Sequence, residues 1–421
     1  MKRNTITQKI FGLLFVVCLF AFAIGNWVTE SGAIIHAIDE IRKPTKAGDL
    51  KHYVSRVEGI LNDNIVGKDK FIDGYAYLQV LMGKEESDNF AMVLDQSGSL
   101  NYTSFFQGDI LPMREYAKRL WRLQEEAKKR GCKVFFVNPP PMYHRGQSEY
   151  SAGLPYNDQN AKQDMLLYYL RTYGVDYIDL RTTLPKHNIP INEYFFKTDH
   201  HWTIETSFYA FADVIEMMDD RYDANLDPMD FHKDLRNYNT VTYSDAFLGS
   251  MGRTTGAVFS GLDDFTLIWP KSEDQFGISG KEDGPYSTTL LNRAMLDTDD
   301  PYGSTNPYNA YIGPIKSRLV IRNKSSSEGP KVLLIHDSYF IPVSAFMAPI
   351  FREIHMIWPL AETDRVDIEK YIAENKFDYI IVELFPGNLD ENGFSFYKDM
   401  TKIEIQQMEE IQRIAQEDTL Q

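Results

Sequence analysis

Cysteine is nearly missing from this chain: Cys18 and Cys132 are the only two. Cys18 lies inside an apolar run and Cys132 at a Lys/Arg-rich helix end, so no disulfide is expected between them. A cysteine-based metal site is excluded by the count alone. Basic residues are also scarce, with 44 Lys plus Arg against 60 Asp plus Glu and a formal net charge of −16. Neutralising phosphates takes Lys and Arg, so a nucleic-acid partner is excluded. The same balance excludes docking on a strongly anionic surface, apart from the basic N-terminus. There is no internal repeat and no low-complexity tract. What is abundant is core-forming material: 43% hydrophobic and 13% aromatic residues, including 25 Tyr and 26 Phe. A chain of 421 residues accommodates one large domain or two ordinary ones.

The first residues set the compartment. Lys2, Arg3 and Lys9 precede an apolar run from Ile10 to Val28, which at ~1.5 Å per residue is long enough to cross a bilayer core. The basic flank predicts an N-inside orientation with the remainder exported. Ala21-Phe22-Ala23 has the small residues of a signal-peptidase site. The apolar run continues through Trp27 and Val28, and this favours an uncleaved anchor. Val16-Val17 before Cys18 does not suit a lipoprotein site.

Along the chain, residues 1–28 read as the anchor and 29–60 as a charged stem broken at Pro44-Thr45-Lys46-Ala47-Gly48. Residues 61–395 form the main domain and 396–421 a charged helical tail, with Lys398 to Ala415 amphipathic. A strand and tight turn at Ala91–Gly98 and strand patterns at Lys133–Val137, Val175–Leu180, Lys331–His336 and Phe377–Leu384 alternate with helical spacing at 109–130, 162–173 and 343–350. That rhythm predicts an α/β fold in three layers, a mainly parallel sheet covered by helices on both faces. Residues 220–330, rich in Gly, Ser, Asp, Tyr and Pro, read as an insertion or as substrate-lining loops.

Two short segments carry the chemistry. Asp199-His200-His201-Trp202 precedes a helical face, and Ser338 follows the apolar run Val332-Leu333-Leu334-Ile335. A hydroxyl is a weak nucleophile until a base takes its proton, and a carboxylate must hold that base in the right tautomer. Asp199, His201 and Ser338 supply those three parts, which points to acyl transfer without any cofactor. Ser338 at the carboxyl end of a strand also places its own N–H toward a developing oxyanion. Plainer readings compete: Asp337 and Ser338 as caps of the following helix, Asp199 as the cap of the helix after Trp202, or a buried, merely satisfied imidazole. Asp-His-His offers three metal ligands but lacks the i, i+4 His pair of helical zinc sites, so no metal is expected. Asn138, Ser250 and Arg253 are candidate contacts to oxyanion or substrate. Tyr308, Tyr339 and Trp202 are candidates to stack on sugar rings, although most aromatics in such a chain are core.

Phe196-Lys197-Thr198-Asp199-His200-His201-Trp202-Thr203 resembles the motif that names the DHHW family of bacterial surface proteins, which belongs with the SGNH hydrolase-like enzymes that include the alginate O-acetyltransferases. The resemblance continues through Phe247–Arg253, Asn306-Pro307-Tyr308 and Val332–Tyr339, and so spans roughly residues 60–390. It departs at Met142-Tyr143, where relatives often have a Lys, and at His336, where related hydrolases commonly have a small residue. The resemblance implies an SGNH hydrolase-like fold and a triad of Asp199, His201 and Ser338. It also implies O-acetylation of an extracytoplasmic polysaccharide, with the acetyl group supplied by a membrane-bound O-acyltransferase. An acetyl esterase with the same triad and a non-catalytic glycan-binding scaffold are the alternatives.

Overall fold

In the computed structural model, residues 2–32, 35–36, 39, 50–103, 109–272, 274–296, 300–303 and 305–419 are described. The break at Pro44, with residues 40–49 of the expected stem, therefore lies outside the described residues. The chain divides into two compact units, Met1–Gln79 and Val80–Gln421.

The first unit is helical. Its helix Lys2–Thr29 contains the stretch Thr7–Thr29, with a mean hydropathy of 2.3, long and apolar enough to cross a membrane. Phe22 packs edge-on against Phe71 at 5.8 Å, and the Asn26 side chain accepts from the Val66 N–H at 2.9 Å.

In the second unit the strands are, in chain order, β1 Glu86–Ser87, β2 Met92–Leu94, β3 Leu100–Tyr102, β4 Lys133–Asn138, β5 Asp176–Asp179, β6 Tyr238–Phe247, β7 Asp263–Pro270, β8 Gln275–Ile278, β9 Gly284–Pro285, β10 Arg318–Asn323, β11 Lys331–Ile335, β12 Glu353–Ile357 and β13 Tyr379–Glu383. Eight of them form one sheet in the order β5-β4-β13-β11-β12-β10-β8-β9. The first five are mutually parallel, and β10, β8 and β9 continue the sheet antiparallel.

Period-2 alternation sends strand side chains to two cores. Phe135, Val137, Val332, Leu334 and Ile381 meet the helices Ile204–Tyr222 and Phe340–Met347, whereas Val134, Phe136, Leu333, Ile335 and Val382 meet Met113–Lys128 and Asn160–Tyr173. The second of those helices stops at Gly174, whose φ of 68° is the left-handed C-cap that glycine takes most readily. The result is the expected three-layer arrangement.

The 220–330 segment is only partly an insertion. It supplies the β6–β7 ribbon, but also β8, β9 and β10 of the main sheet. The expected helix at 343–350 begins earlier, at Phe340, immediately after the Ser338 turn.

Candidate active site

β11 ends at Ile335 and the chain turns through His336-Asp337-Ser338 into the helix Phe340–Met347. Ser338 therefore stands at the carboxyl edge of a central parallel strand, where open α/β sheets bind ligands. Asp337 pins this turn. Its Oδ1 accepts from the Tyr339 N–H at 3.0 Å, and its Oδ2 accepts from the Phe385 N–H and the Asn388 side chain, both at 2.7 Å. Burial pushes the Asp337 carboxyl up, against those three hydrogen bonds. No side-chain cap bond reaches the N–H groups within the helix Phe340–Met347; Asp337 instead ties the Tyr339 N–H at its entrance, and the Ser338 side chain makes no cap bond.

The facing segment is a small hairpin. Phe195 and Trp202 pair as a bridge, the Phe196 N–H donates to the His201 carbonyl at 3.1 Å, and the Thr203 N–H donates to the Tyr194 carbonyl at 2.9 Å. Thr203, rather than Asp199, caps the helix Ile204–Tyr222 through its side-chain oxygen. That leaves Asp199 for His201. Asp199 Oδ1 lies 2.5 Å from His201 Nδ1 and accepts the His201 N–H at 3.0 Å, and His201 Nε2 lies 2.7 Å from Ser338 Oγ. The other carboxylate oxygen, Oδ2, accepts the Ser250 N–H at 2.6 Å. Asp199 is buried and Ser338 partly exposed. Burial pushes the Asp199 carboxyl up, but the charges of His201 and His200 and the bonds from His201 and Ser250 outweigh it and hold the group well below the usual carboxylate range.

Two latches join the hairpin to the Ser338 turn. Trp202 Nε1 donates to the Tyr339 carbonyl at 2.9 Å, and the Tyr339 hydroxyl donates to the His200 carbonyl. The Tyr308 ring stacks on His201 at 4.1 Å. Asp263 braces the hairpin from below, accepting the Lys197 and Thr198 N–H groups at 2.8 Å and the Thr198 hydroxyl at 2.6 Å.

Other candidates take different places from those expected. Asn138 is fully buried, its amide joined to Asp179 and Gln163 at 2.8 Å each, so it shapes the end of β4. Arg253 spends its guanidinium on the carbonyls of Leu248, Tyr302, Gly303 and Thr305, and fastens a loop. Ser250 holds Asp199 by its N–H, while its hydroxyl meets His200 Nδ1 at 3.3 Å. Tyr308, Tyr339 and Trp202 are buried against the His201 and Ser338 segments, which leaves no ring face for a sugar. His200 is pushed down to about 4, first by burial and then by the His201 charge. Ligand atoms of Asp199, His200 and His201 fall within 4.8 Å of one another. Both His201 ring nitrogens are already engaged, however, so a cation would have to displace Asp199 or Ser338.

Asp263 escapes the sequence reading and Asp337 reads only as a possible helix cap, because no local pattern marks a residue that supports another. Only Gly249-Ser250, inside the segment resembling the DHHW proteins, gave any signal.

Residues 106–244 match the family described as "SGNH hydrolase-like domain, acetyltransferase AlgX". The match includes Asp199 and His201 and ends before Ser338. No curated protein matches the chain. Among solved structures, Bacillus cereus PatB1 is similar at 15% identity, covering 72% of this chain and 99% of that one, with a TM-score of 0.57. The same protein with a sulfonyl adduct gives a TM-score of 0.56 at 15% identity, covering 72% of this chain and 97% of that one. A DHHW family protein from Eubacterium siraeum is similar at 17% identity, covering 73% of this chain and 96% of that one, with a TM-score of 0.54. At these identities the likeness shows the fold, an SGNH hydrolase-like α/β architecture.

Proposed function

We propose that the chain is a membrane-anchored, extracytoplasmic O-acetyltransferase that acetylates a polysaccharide through Ser338, His201 and Asp199. The observation that carries this reading is the unbroken hydrogen-bond series from Asp199 through His201 to Ser338 Oγ at 2.7 Å. The match of residues 106–244 to an acetyltransferase-type SGNH domain supports the reaction class. The apolar helix Thr7–Thr29 supports the anchor.

In this mechanism His201 Nε2 takes the Ser338 hydroxyl proton as Oγ attacks the acetyl carbonyl carbon of the donor. The Ser338 N–H, which no acceptor among the described residues engages, faces the developing oxyanion. The donor's leaving group departs with the proton from His201, leaving acetyl-serine. His201 then takes the proton of a sugar hydroxyl, whose oxygen attacks the acetyl-serine. Ser338 recovers its proton and the acetylated sugar leaves. Asp199 keeps His201 in the tautomer with hydrogen on Nδ1. The acetyl donor is a membrane-bound O-acyltransferase partner, and each proton transfer in this sequence is carried by His201.

The test uses full-length protein in detergent, wild type and Ser338→Ala, with a chromogenic acetyl ester and with or without oligosaccharides. Intact-mass spectrometry follows acetyl on protein and on sugar. The expected result is Ser338-dependent acetyl-enzyme that discharges onto sugar. Ester turnover indifferent to sugar would make the protein an esterase, and Ser338-independent behaviour in a folded protein would favour a binding scaffold.

A further inference from the structure

The helix Lys68–Leu81, which lies almost entirely in the first unit, carries its apolar residues on the outside. Only Ala76 and Gln79 are buried, while Phe71, Tyr75, Tyr77, Leu78, Val80 and Leu81 are exposed. After Asp73 the helix contains no charged residue. Water is a poor neighbour for a helix that is apolar on nearly every side, and an exposed patch of this kind marks contact with protein or membrane.

Three of these residues form a stripe. Phe71, Tyr75 and Leu78 follow the i, i+4, i+7 spacing that keeps side chains on one helix face, and each is more than half exposed. At ~100° per residue, Asp69 and Asp73 fall on the opposite side.

The place of the stripe identifies what covers it. Its first member, Phe71, meets Phe22 edge-on at 5.8 Å, and Phe22 lies within the apolar span Thr7–Thr29. From Phe22 to Thr29 the span rises ~10 Å at ~1.5 Å per residue. With the span in a bilayer, Phe71 is thus at the depth of lipid rather than of bulk water. The Val66 N–H, donating to the Asn26 side chain at 2.9 Å, sits nearer the end of the span. The chain therefore descends along the anchor from Val66 to Phe71. Amphipathic helices rest ~5–10 Å into the boundary between headgroups and acyl chains, a layer in which tyrosine is enriched. A bilayer closing round the span meets Phe71 first and the rest of its stripe with it, whereas a soluble partner would have to displace lipid.

We propose that the helix Lys68–Leu81 is a second membrane contact. It lies in the leaflet that holds Thr29, with Phe71, Tyr75 and Leu78 among the acyl chains and Asp69 and Asp73 toward headgroups and water. The proposal rests on reading Thr7–Thr29 as a membrane anchor, and adds a lipid-facing surface outside the span. A lone span can rotate about its own axis; a second contact fixes which way it faces.

The test uses full-length protein in phosphatidylcholine nanodiscs, with a nitroxide label on one cysteine at a time. The buried Cys132 is replaced by alanine throughout, and the exposed Cys18, inside the span, serves as the depth reference. Tyr75→Cys, Leu78→Cys and Asp73→Cys are made in a Cys18→Ala/Cys132→Ala background, with circular dichroism reporting the fold of each variant. Paramagnetic resonance compares the access of oxygen, which concentrates in lipid, with that of a water-soluble nickel chelate. The Tyr75→Cys and Leu78→Cys labels are expected to show an oxygen-to-chelate ratio at least ~3-fold that of the Asp73→Cys label, as for a helix sunk among acyl chains. Adding Phe71→Gln/Leu78→Gln should lower the Tyr75→Cys ratio toward that of Asp73→Cys. Equal ratios on the two faces, with Cys18 immersed, overturn the proposal and leave the anchor standing. Stripe labels screened from both reagents would mean that a protein partner covers the stripe, and would overturn it as well. So would a Tyr75→Cys ratio unmoved by the double substitution. A Cys18 label open to the chelate would instead sink the anchor reading, and the proposal with it.

Discussion

Gly249 makes the room that Asp199 occupies: a Cβ on Gly249 would fall 2.2 Å from the Asp199 Cβ and 2.6 Å from its Oδ2. The reason is chemical rather than conformational, since Gly249 sits in extended backbone at φ −70° and ψ −179°. Its closeness lets the next residue, Ser250, deliver its N–H to the carboxylate at 2.6 Å. Gly249→Ala should therefore move Asp199 or the hairpin behind it, at a stability cost of roughly 1–3 kcal/mol. Activity should fall further than stability explains, at least ~100-fold, because a small misplacement of a catalytic group is amplified in rate. Urea unfolding and ester turnover, measured on the same preparation, check both halves.

Asp199→Asn keeps the shape but removes the acceptor that fixes the His201 tautomer. Loss of turnover on the order of 10³–10⁴-fold is expected, with the fold retained. A fall of only a few-fold in steady-state kinetics would mean that His201 does not need Asp199.

His336 is buried and pushed down by burial to about 4 from 6.5, and its Nδ1–H donates to the Asp337 carbonyl at 2.6 Å. Above pH 6.5 both folded and unfolded states are neutral there. As pH falls from 6.5 toward 4 the unfolded state takes the proton first, so stability is lost across that window. The full shift corresponds to roughly 3 kcal/mol. His144, His200 and His355 are pushed down to about 4 as well, burial being the first cause in each, so one substitution removes only a share. His336→Asn should flatten the slope of unfolding free energy between pH 6.5 and 4.5, by up to ~2 kcal/mol over the window.

Glu383 ends β13 fully buried, and among the described residues no well-formed hydrogen bond reaches either of its carboxyl oxygens, the Asp337 backbone N–H being only a weak neighbour. Burial, and then the charge of Asp337, push its carboxyl well above 4.5. Below pH 4.5 both states are protonated. As pH rises the unfolded state loses its proton first, so stability declines from there until the folded group ionises. Glu383→Gln abolishes that decline. Its advantage over wild type should be smallest near pH 4.5 and grow toward pH 7.5 in denaturant titrations, and an advantage that stays constant with pH would show that Glu383 does not titrate differently in the folded state.

The β–α alternation was legible because parallel strands buried on both faces read as apolar runs, and Val134–Val137, Leu333–Ile335 and Ile380–Val382 are such runs. β12 was not legible: Glu353 and His355 interrupt its pattern, although it lies in the middle of the sheet beside β11. β10 was hidden in a polar stretch, with Arg318 and Arg322 flanking its short apolar centre. Asp199, His201 and Ser338 stood out because their residue types announce a chemistry, and the chain brings them within hydrogen-bond reach. Asn138 and Arg253 looked equally polar on paper. Whether such a side chain meets a substrate or a backbone carbonyl depends on contacts from distant segments, Asp179 in one case and Tyr302 to Thr305 in the other.

The position of β11 between β12 and β13 also sets a timetable. His201 and Ser338 are 137 residues apart, and the strand that presents Ser338 gains its neighbours only when Glu353–Ile357 and then Tyr379–Glu383 have arrived. The Asp337 clamp needs Phe385 and Asn388, later still. A chain made from its N-terminus onward thus cannot set the Ser338 turn until nearly all of it is present, and a product cut short before residue 388 would lack the Asp337 clamp.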